Sequence, residues 1–180
     1  MNFDALFKVN CGMYIISVRQ GDRLNGQIVN AVVQVTGEPV QLVVSLNKAN
    51  LTCDMLKGEC RAFVLSILEK DAPMKLIGQF GFKSGRDMNK FEGVNHRPGR
   101  NGAPVVLDST VGYLEAEVVN RVDAGTHIVF LAKVTEAELL REGEPMTYLY
   151  YREVKKGLTH KNAATYHKPD AKAPPASPKS

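Results

Sequence analysis

The 180-residue chain has no tryptophan, and aromatic residues make up only 7% of it. Single-stranded nucleic acid is usually gripped by basic grooves interleaved with stacking aromatics. No such stripe is present, so nucleic acid is not an expected partner. Cysteine is scarce: Cys11, Cys53 and Cys60 form no C-x-x-C pair. An odd number at these spacings excludes a disulfide framework and the usual zinc or iron–sulfur ligand sets. Three reduced, mostly buried thiols are expected instead. His96, His127, His160 and His167 fall in no H-E-x-x-H pattern, and no metal is expected. No stretch approaches the roughly 20 apolar residues that a bilayer crossing requires. Met1-Asn2-Phe3-Asp4 opens without a basic n-region and apolar core, so a cytoplasmic protein away from membranes is expected. A G-x-S-x-G elbow and paired carboxylates for hydrolysis are also missing. Gly78, Gly81 and Gly85 are spaced too widely for the glycine-rich dinucleotide fingerprint and follow no strand.

What remains is an ordinary globular composition, 44% hydrophobic and 23% charged, at a length that suits one domain. The net charge of +4 is unevenly placed. Residues 152–180 hold seven basic and two acidic side chains, whereas residues 1–151 hold sixteen and seventeen. The body is therefore nearly neutral, and the excess sits at the C-terminal end, to touch an acidic partner or simply to stay solvated. From Lys168 onward, thirteen residues include four prolines and no large apolar side chain. Such a segment cannot form a core and reads as a flexible tail or linker. The expected division is a domain over residues 1–165 and a tail over 166–180.

Strand signals dominate the body. Met13–Val18, Ile28–Val35, Val40–Leu46 and Arg61–Leu68 are rich in β-branched and apolar residues, and the last, mostly apolar, reads as central. Val111–Val122 and His127–Glu138 read as two long strands around an Asp123-Ala124-Gly125 turn, with Glu115 and Glu117 on the polar face. Thr147–Tyr151 reads as a last short strand. Helices are expected at Asn50–Gly58, capped by Asn50 or Thr52, and at Met74–Phe80 after Asp71-Ala72-Pro73. A further short helix is expected from Ser84 to Phe91, and loop over 92–104. Six or seven antiparallel strands with short inserted helices predict a mostly β small barrel, not a doubly wound sheet.

Two polar clusters carry the candidate chemistry. Asn25, Gln27 and Asn30 lie in a turn running into a strand, and Ser45, Asn47, Lys48, Asn50 and Thr52 gather where a strand meets a helix. Helix-start amides, hydroxyls and one ammonium suit a phosphate; a capped helix after a polar turn accounts for the same residues. Lys83, Ser84, Arg86, Asp87 and Lys90 would grip an anion or the edge of a planar ring. They would equally form a surface helix with a Ser84 cap and an Asp87–Lys90 pair. His127 opens a strand beside a glycine turn, at a pocket rim or as an ordinary edge residue.

Four segments, in order, resemble the flavin-reductase-like, FMN-binding split-barrel family, particularly the flavin domain of high-molecular-weight rubredoxins and flavoredoxins. They are Asn25–Asn30, Val44–Thr52, Phe80–Phe91 and Gly125–Phe130, followed by Leu149–Arg152. The resemblance spans roughly residues 5–160 in the family's order. It implies a split barrel that forms a homodimer and binds FMN. By the same resemblance, Asn25, Gln27, Ile28, Val29 and Asn30 would line the flavin ring and ribityl side. Ser45, Leu46, Asn47, Lys48, Asn50 and Thr52 would hold the ribityl chain and phosphate. Phe82, Lys83, Ser84, Arg86, Lys90 and Phe91 would complete the pocket, and His127 would position nicotinamide or flavin. The implied activity is FMN-dependent oxidation of NADH or NADPH, with a rubredoxin or other small redox protein, ferric iron, oxygen or free flavin as acceptor. The tail looks like the linker before a rubredoxin domain, although no Cys-x-x-Cys follows it. The alternatives are a non-catalytic FMN-binding electron-transfer module, a pyridoxamine-phosphate-oxidase-like protein, and a plain barrel whose polar clusters are only caps and turns.

Overall fold

The computed structural model describes residues 3–167. A 3-10 turn at Phe3–Lys8 leads into β1 (Tyr14–Gln20), β2 (Arg23–Val29), β3 (Val32–Gly37), β4 (Val40–Asn47), α1 (Leu51–Lys57) and β5 (Ala62–Leu68). There follow α2 (Met74–Gly81), β6 (His96–Pro98), β7 (Pro104–Val106), β8 (Thr110–Ala124), β9 (His127–Leu139) and α3 (Tyr148–Glu153). Seven strands form one antiparallel sheet in the order β2-β1-β5-β8-β9-β4-β3, and β6 with β7 forms a small hairpin.

The two ends of that order, β2 and β3, are separated in sequence only by Asn30-Ala31. One bent segment therefore belongs to both edges, and the Ser45 amide reaches across to the Ala31 carbonyl at 3.0 Å. This corner brings the two ends of the sheet together and curls it into a split barrel. It also corrects the single strand expected over Ile28–Val35, which is split between β2 and β3. Asn25, Gly26 and Gln27 stand inside β2, opposite Val18, Ser17 and Ile16, and not in a turn.

β5 lies between β1 and β8, as its continuous apolar run predicts. Both of its faces are covered: Phe63 and Leu65 point into the barrel core with Ile16, Val18, Leu46 and Phe130, while Val64 packs outside against Val105 and Tyr113. α1 sends Leu51, Cys53, Met55 and Leu56 into the same barrel core. A second core lies outside β1. There Leu76, Ile77 and Phe80 of α2 meet Met13, Ile15, Phe91, Tyr148 and Tyr151. Each large apolar side chain buried this way contributes about 1.5–3 kcal/mol, which fixes α2 against the sheet.

Several expectations need correction. Thr147–Tyr151 opens a helix, not a strand: Thr147 Oγ1 accepts from the Tyr150 amide at 3.1 Å, and Tyr148 and Tyr151, one turn apart, face the second core. Residues 84–91 form successive turns instead of a helix. Part of 92–104 is the β6–β7 hairpin, not loop. Pro73 occupies the N-cap of α2 rather than its first turn. Glu115 is not on an open polar face; it is 1% exposed, and its carboxylate accepts the Arg100 and Asn101 amides at 2.8 Å each. The strand alternation holds there, but the Arg100–Asn101 turn covers the face on which Glu115 stands. Cys53 and Cys60 are buried and Cys11 is half-buried, all three free, as expected. Of the tail expected over 166–180, residues 168–180 lie outside the described residues. Among the described residues no helix is long and apolar enough to cross a membrane.

Candidate functional site

A cavity of about 300 Å³ opens beside the barrel, between β2, the start of α1, α2 and the segment that follows α3. Its walls bring the two polar clusters together. Asn25, Gln27, Ile28, Val29 and Asn30 come from β2 and its corner, and Ser45, Asn47, Asn50 and Thr52 from β4 and the α1 start. Phe82, Lys83, Ser84 and Lys90 come from the turns after α2. Gly26 and Phe80, 54 residues apart in sequence, meet here because β2 and α2 pack on each other: Gly26 has no side chain, and a Cβ there would lie 3.0 Å from the Phe80 ring.

The polar atoms on this wall are unevenly satisfied. Asn25 is 2% exposed and donates from Nδ2 to Thr52 Oγ1 at 2.8 Å, which leaves its Oδ1 buried without a partner. Gln27 Oε1 is buried and unpartnered as well. Buried polar groups are nearly always paired, so orphan acceptors on a cavity wall mark places where a ligand donor fits. Lys90 is the matching oddity of opposite sign. It is 4% exposed, and its ammonium donates to the Phe80 carbonyl at 2.8 Å and the Gly26 carbonyl at 3.0 Å. Burial depresses its pKa to about 8. Its expected pairing with Asp87 is therefore incorrect, because Lys90 points inward. Lys83, His160 and Lys161 share the cavity wall with Lys90, and no carboxylate stands among the described lining residues. His160 is pushed below the ordinary histidine value by burial and by the neighbouring Lys161 and Lys90.

The turn carrying Lys83–Arg86 is held in place from outside the cavity. Arg23 donates to the Gly85 carbonyl at 3.0 Å, Ser84 Oγ accepts the Arg86 amide at 3.1 Å, and Arg86 pairs with Asp54. Asn47 Oδ1 accepts the Ala49 amide at 2.9 Å, a local turn that sets up α1. Asn50 does not cap that helix with its side chain; its Oδ1 instead accepts from Asn162 Nδ2 at 2.9 Å.

Five candidates stand off the wall. Leu46 is fully buried in the barrel core, and Phe91 packs edge-on to Phe80 in the second core. Lys48 is committed to Asp123 at 2.7 Å, and Arg86 to Asp54. His127 is the first residue of β9, with Nδ1 2.8 Å from Thr126 Oγ1 and Nε2 3.2 Å from the Asn162 carbonyl oxygen. Sequence reasoning missed the apolar floor of Met13, Ile77, Phe80, Tyr148 and Tyr151, for which the i, i+3 spacing of Tyr148 and Tyr151 was the available signal. It also missed the wall formed by Leu158–Ala164, which has no periodic pattern to reveal it.

Residues 6–159 match the flavin reductase like domain family. The chain belongs to that family. It is 48% identical over 166 residues to the high molecular weight rubredoxin of Moorella thermoacetica, covering 92% of this chain and 72% of that protein. It is 41% identical over 166 residues to the ferric-chelate reductase (NAD(P)H) of Archaeoglobus fulgidus, covering 92% of this chain and 98% of that protein. Among solved structures, the NADH:FAD oxidoreductase of Streptomyces globisporus superposes with a TM-score of 0.72 at 22% identity, over 79% of this chain and 83% of that one. That likeness shows the flavin-reductase split-barrel fold. Flavin-dependent oxidoreductase chemistry is what the family and these relatives support.

Proposed function

We propose that this chain is an FMN-dependent NAD(P)H oxidoreductase. The observation that carries the reading is one cavity whose described lining holds no carboxylate and brings together a buried lysine and two residues with unpartnered buried acceptors. FMN matches that set: a planar apolar ring, ring N–H and ribityl O–H donors, and an anionic phosphate. When bound, it would accept hydride from nicotinamide and release electrons onward, chemistry that belongs to the cofactor.

The protein's own tasks are narrower. Ile28, Val29 and Phe82 give the ring an apolar bed, and Asn25 and Gln27 accept its donors or those of the ribityl chain. Ser45, Asn47, Asn50 and Thr52 hold the polar chain, while Lys90, with Lys83 near the mouth, balances negative charge. Lys90 is worth more here than at a surface, because the surrounding protein screens it poorly. No covalent side-chain intermediate is needed, which agrees with the missing triad. NADH or NADPH is the electron donor. The acceptor is a rubredoxin or other small redox protein, with ferric iron, oxygen and free flavin as further candidates. A cytoplasmic homodimer is part of the same reading.

A second reading has one observation in its favour. The Leu158–Ala164 segment lines the cavity and narrows the room left for a nicotinamide beside a flavin, which suits an electron-transfer module reduced by a partner protein. Anaerobic addition of NADH or NADPH to the FMN-loaded protein separates the two. Prompt bleaching of the flavin band supports the reductase; bleaching by dithionite alone would leave the electron-transfer module.

A further inference from the structure

Beyond α3 the chain turns back sharply. Lys156 adopts a left-handed φ of +54° and Gly157 lies against the Tyr151 ring, where a Cβ would overlap the ring carbons. This bend aims residues 158–165 across the cavity mouth. They are latched there at several points. Tyr151 Oη donates to the Leu158 carbonyl at 2.9 Å, and Tyr148 Oη bonds Thr159 Oγ1. Asn162 joins Asn50 through its side chain and His127 through its carbonyl. Asn30 Nδ2 donates to Thr165 Oγ1 at 2.8 Å. The His160 ring stands edge-on to Phe82 at 5.7 Å between centroids.

We propose that Leu158–Thr165 is a hinged outer wall of the ligand site, closing over bound flavin and lifting to let it in and out. Two observations favour a wall over a plug. About 300 Å³ of cavity remains beneath the segment, and its residues contribute to the lining of that space. The bend at Lys156-Gly157 is where the segment would pivot, and its hydrogen bonds go to side chains that the cavity already uses or adjoins. Lys161 at the tip adds positive charge to the closed site. The wall thus completes an anion-favouring chamber that β2, α1 and α2 leave open on one side.

The proposal rests on the flavin reading for its ligand but not for its mobility. The test uses the full chain and its Asn162→Ala/Thr165→Val variant, with FMN release followed by stopped-flow fluorescence. Loss of the latches should speed release roughly tenfold or more, with faster association alongside. Unchanged release, or tighter binding in the variant, would overturn the wall; the latter would make the segment a competitor for the site. Hydrogen exchange over residues 158–166 without ligand supplies a readout that needs no flavin. Slower exchange in the native chain than in the variant is expected, and equal exchange would overturn the docked wall by itself. Failure of the native chain to take up FMN would count against the flavin reading alone.

Discussion

Asn25 of β2 and Thr52 of α1, 27 residues apart, share a buried 2.8 Å hydrogen bond that ties a barrel strand to the helix plugging the barrel. The bond uses the Asn25 amide nitrogen and leaves its oxygen buried against Gly85 with no partner. One residue thus serves as both a structural link and an unmatched acceptor.

Asn25→Leu removes the free acceptor while keeping comparable bulk. The fold should survive with a loss of about 1–2 kcal/mol, and FMN affinity should fall by roughly tenfold to a hundredfold. A fluorescence-quenching titration beside a urea melt reads both quantities. An unchanged dissociation constant would remove Asn25 from the site.

Lys90 yields a prediction in pH. In the unliganded fold its pKa is about 8, below the ordinary lysine value. Between those two values the unfolded chain binds the extra proton, so this residue makes stability rise as pH rises through that window. An anionic ligand needs the protonated form, so its affinity should decline as pH climbs through about 8. Lys90→Met should abolish that decline and weaken FMN by roughly tenfold or more. Its effect on stability at neutral pH should be small, because relief of the buried charge offsets the two carbonyls left without a donor. Isothermal titration across pH 6.5–9.5, a range of about three units around the depressed pKa, checks the slope.

Gly85→Ala tests the turn that presses on the site. An added Cβ would overlap Asn25 Oδ1 and come within 3.2 Å of Leu51. Asn25 would have to move, costing about 1–3 kcal/mol and weakening FMN at the same time. Thermal melts with and without FMN should show a smaller ligand-induced rise in the variant.

Glu115→Gln is the control at a buried residue outside the cavity lining. The carboxylate accepts two amides of the Arg100–Asn101 turn, so stability should drop by about 1–3 kcal/mol. FMN affinity, corrected for folding, should not change.

The fold was legible wherever one physical signal acted alone. The β8–β9 hairpin follows from its glycine turn, where Gly125 adopts a φ of +77°, and β5 follows from an apolar run covered on both faces. Legibility failed where packing overrode propensity. Tyr148, Tyr150 and Tyr151 favour strands, yet the Thr147 cap and the inward stacking of two tyrosines make a helix. Asn30-Ala31 does not announce a corner, because closure depends on β4 arriving at the same place. The site was legible as residue types around two clusters. What the sequence could not carry was burial: Lys90 looks like any surface lysine until α2 and β2 enclose it. The outer wall was invisible for the same reason, since Leu158–Ala164 has neither periodicity nor a motif.

The most direct test of the account is whether the chain holds flavin. The protein is incubated with FMN, freed of excess ligand by gel filtration, and its visible spectrum recorded. The account predicts a band near ~450 nm at about one flavin per chain, the signature of a bound cofactor. No retained band, and no saturable quenching in a titration, would contradict it and return the cavity to a feature of a barrel without this cofactor.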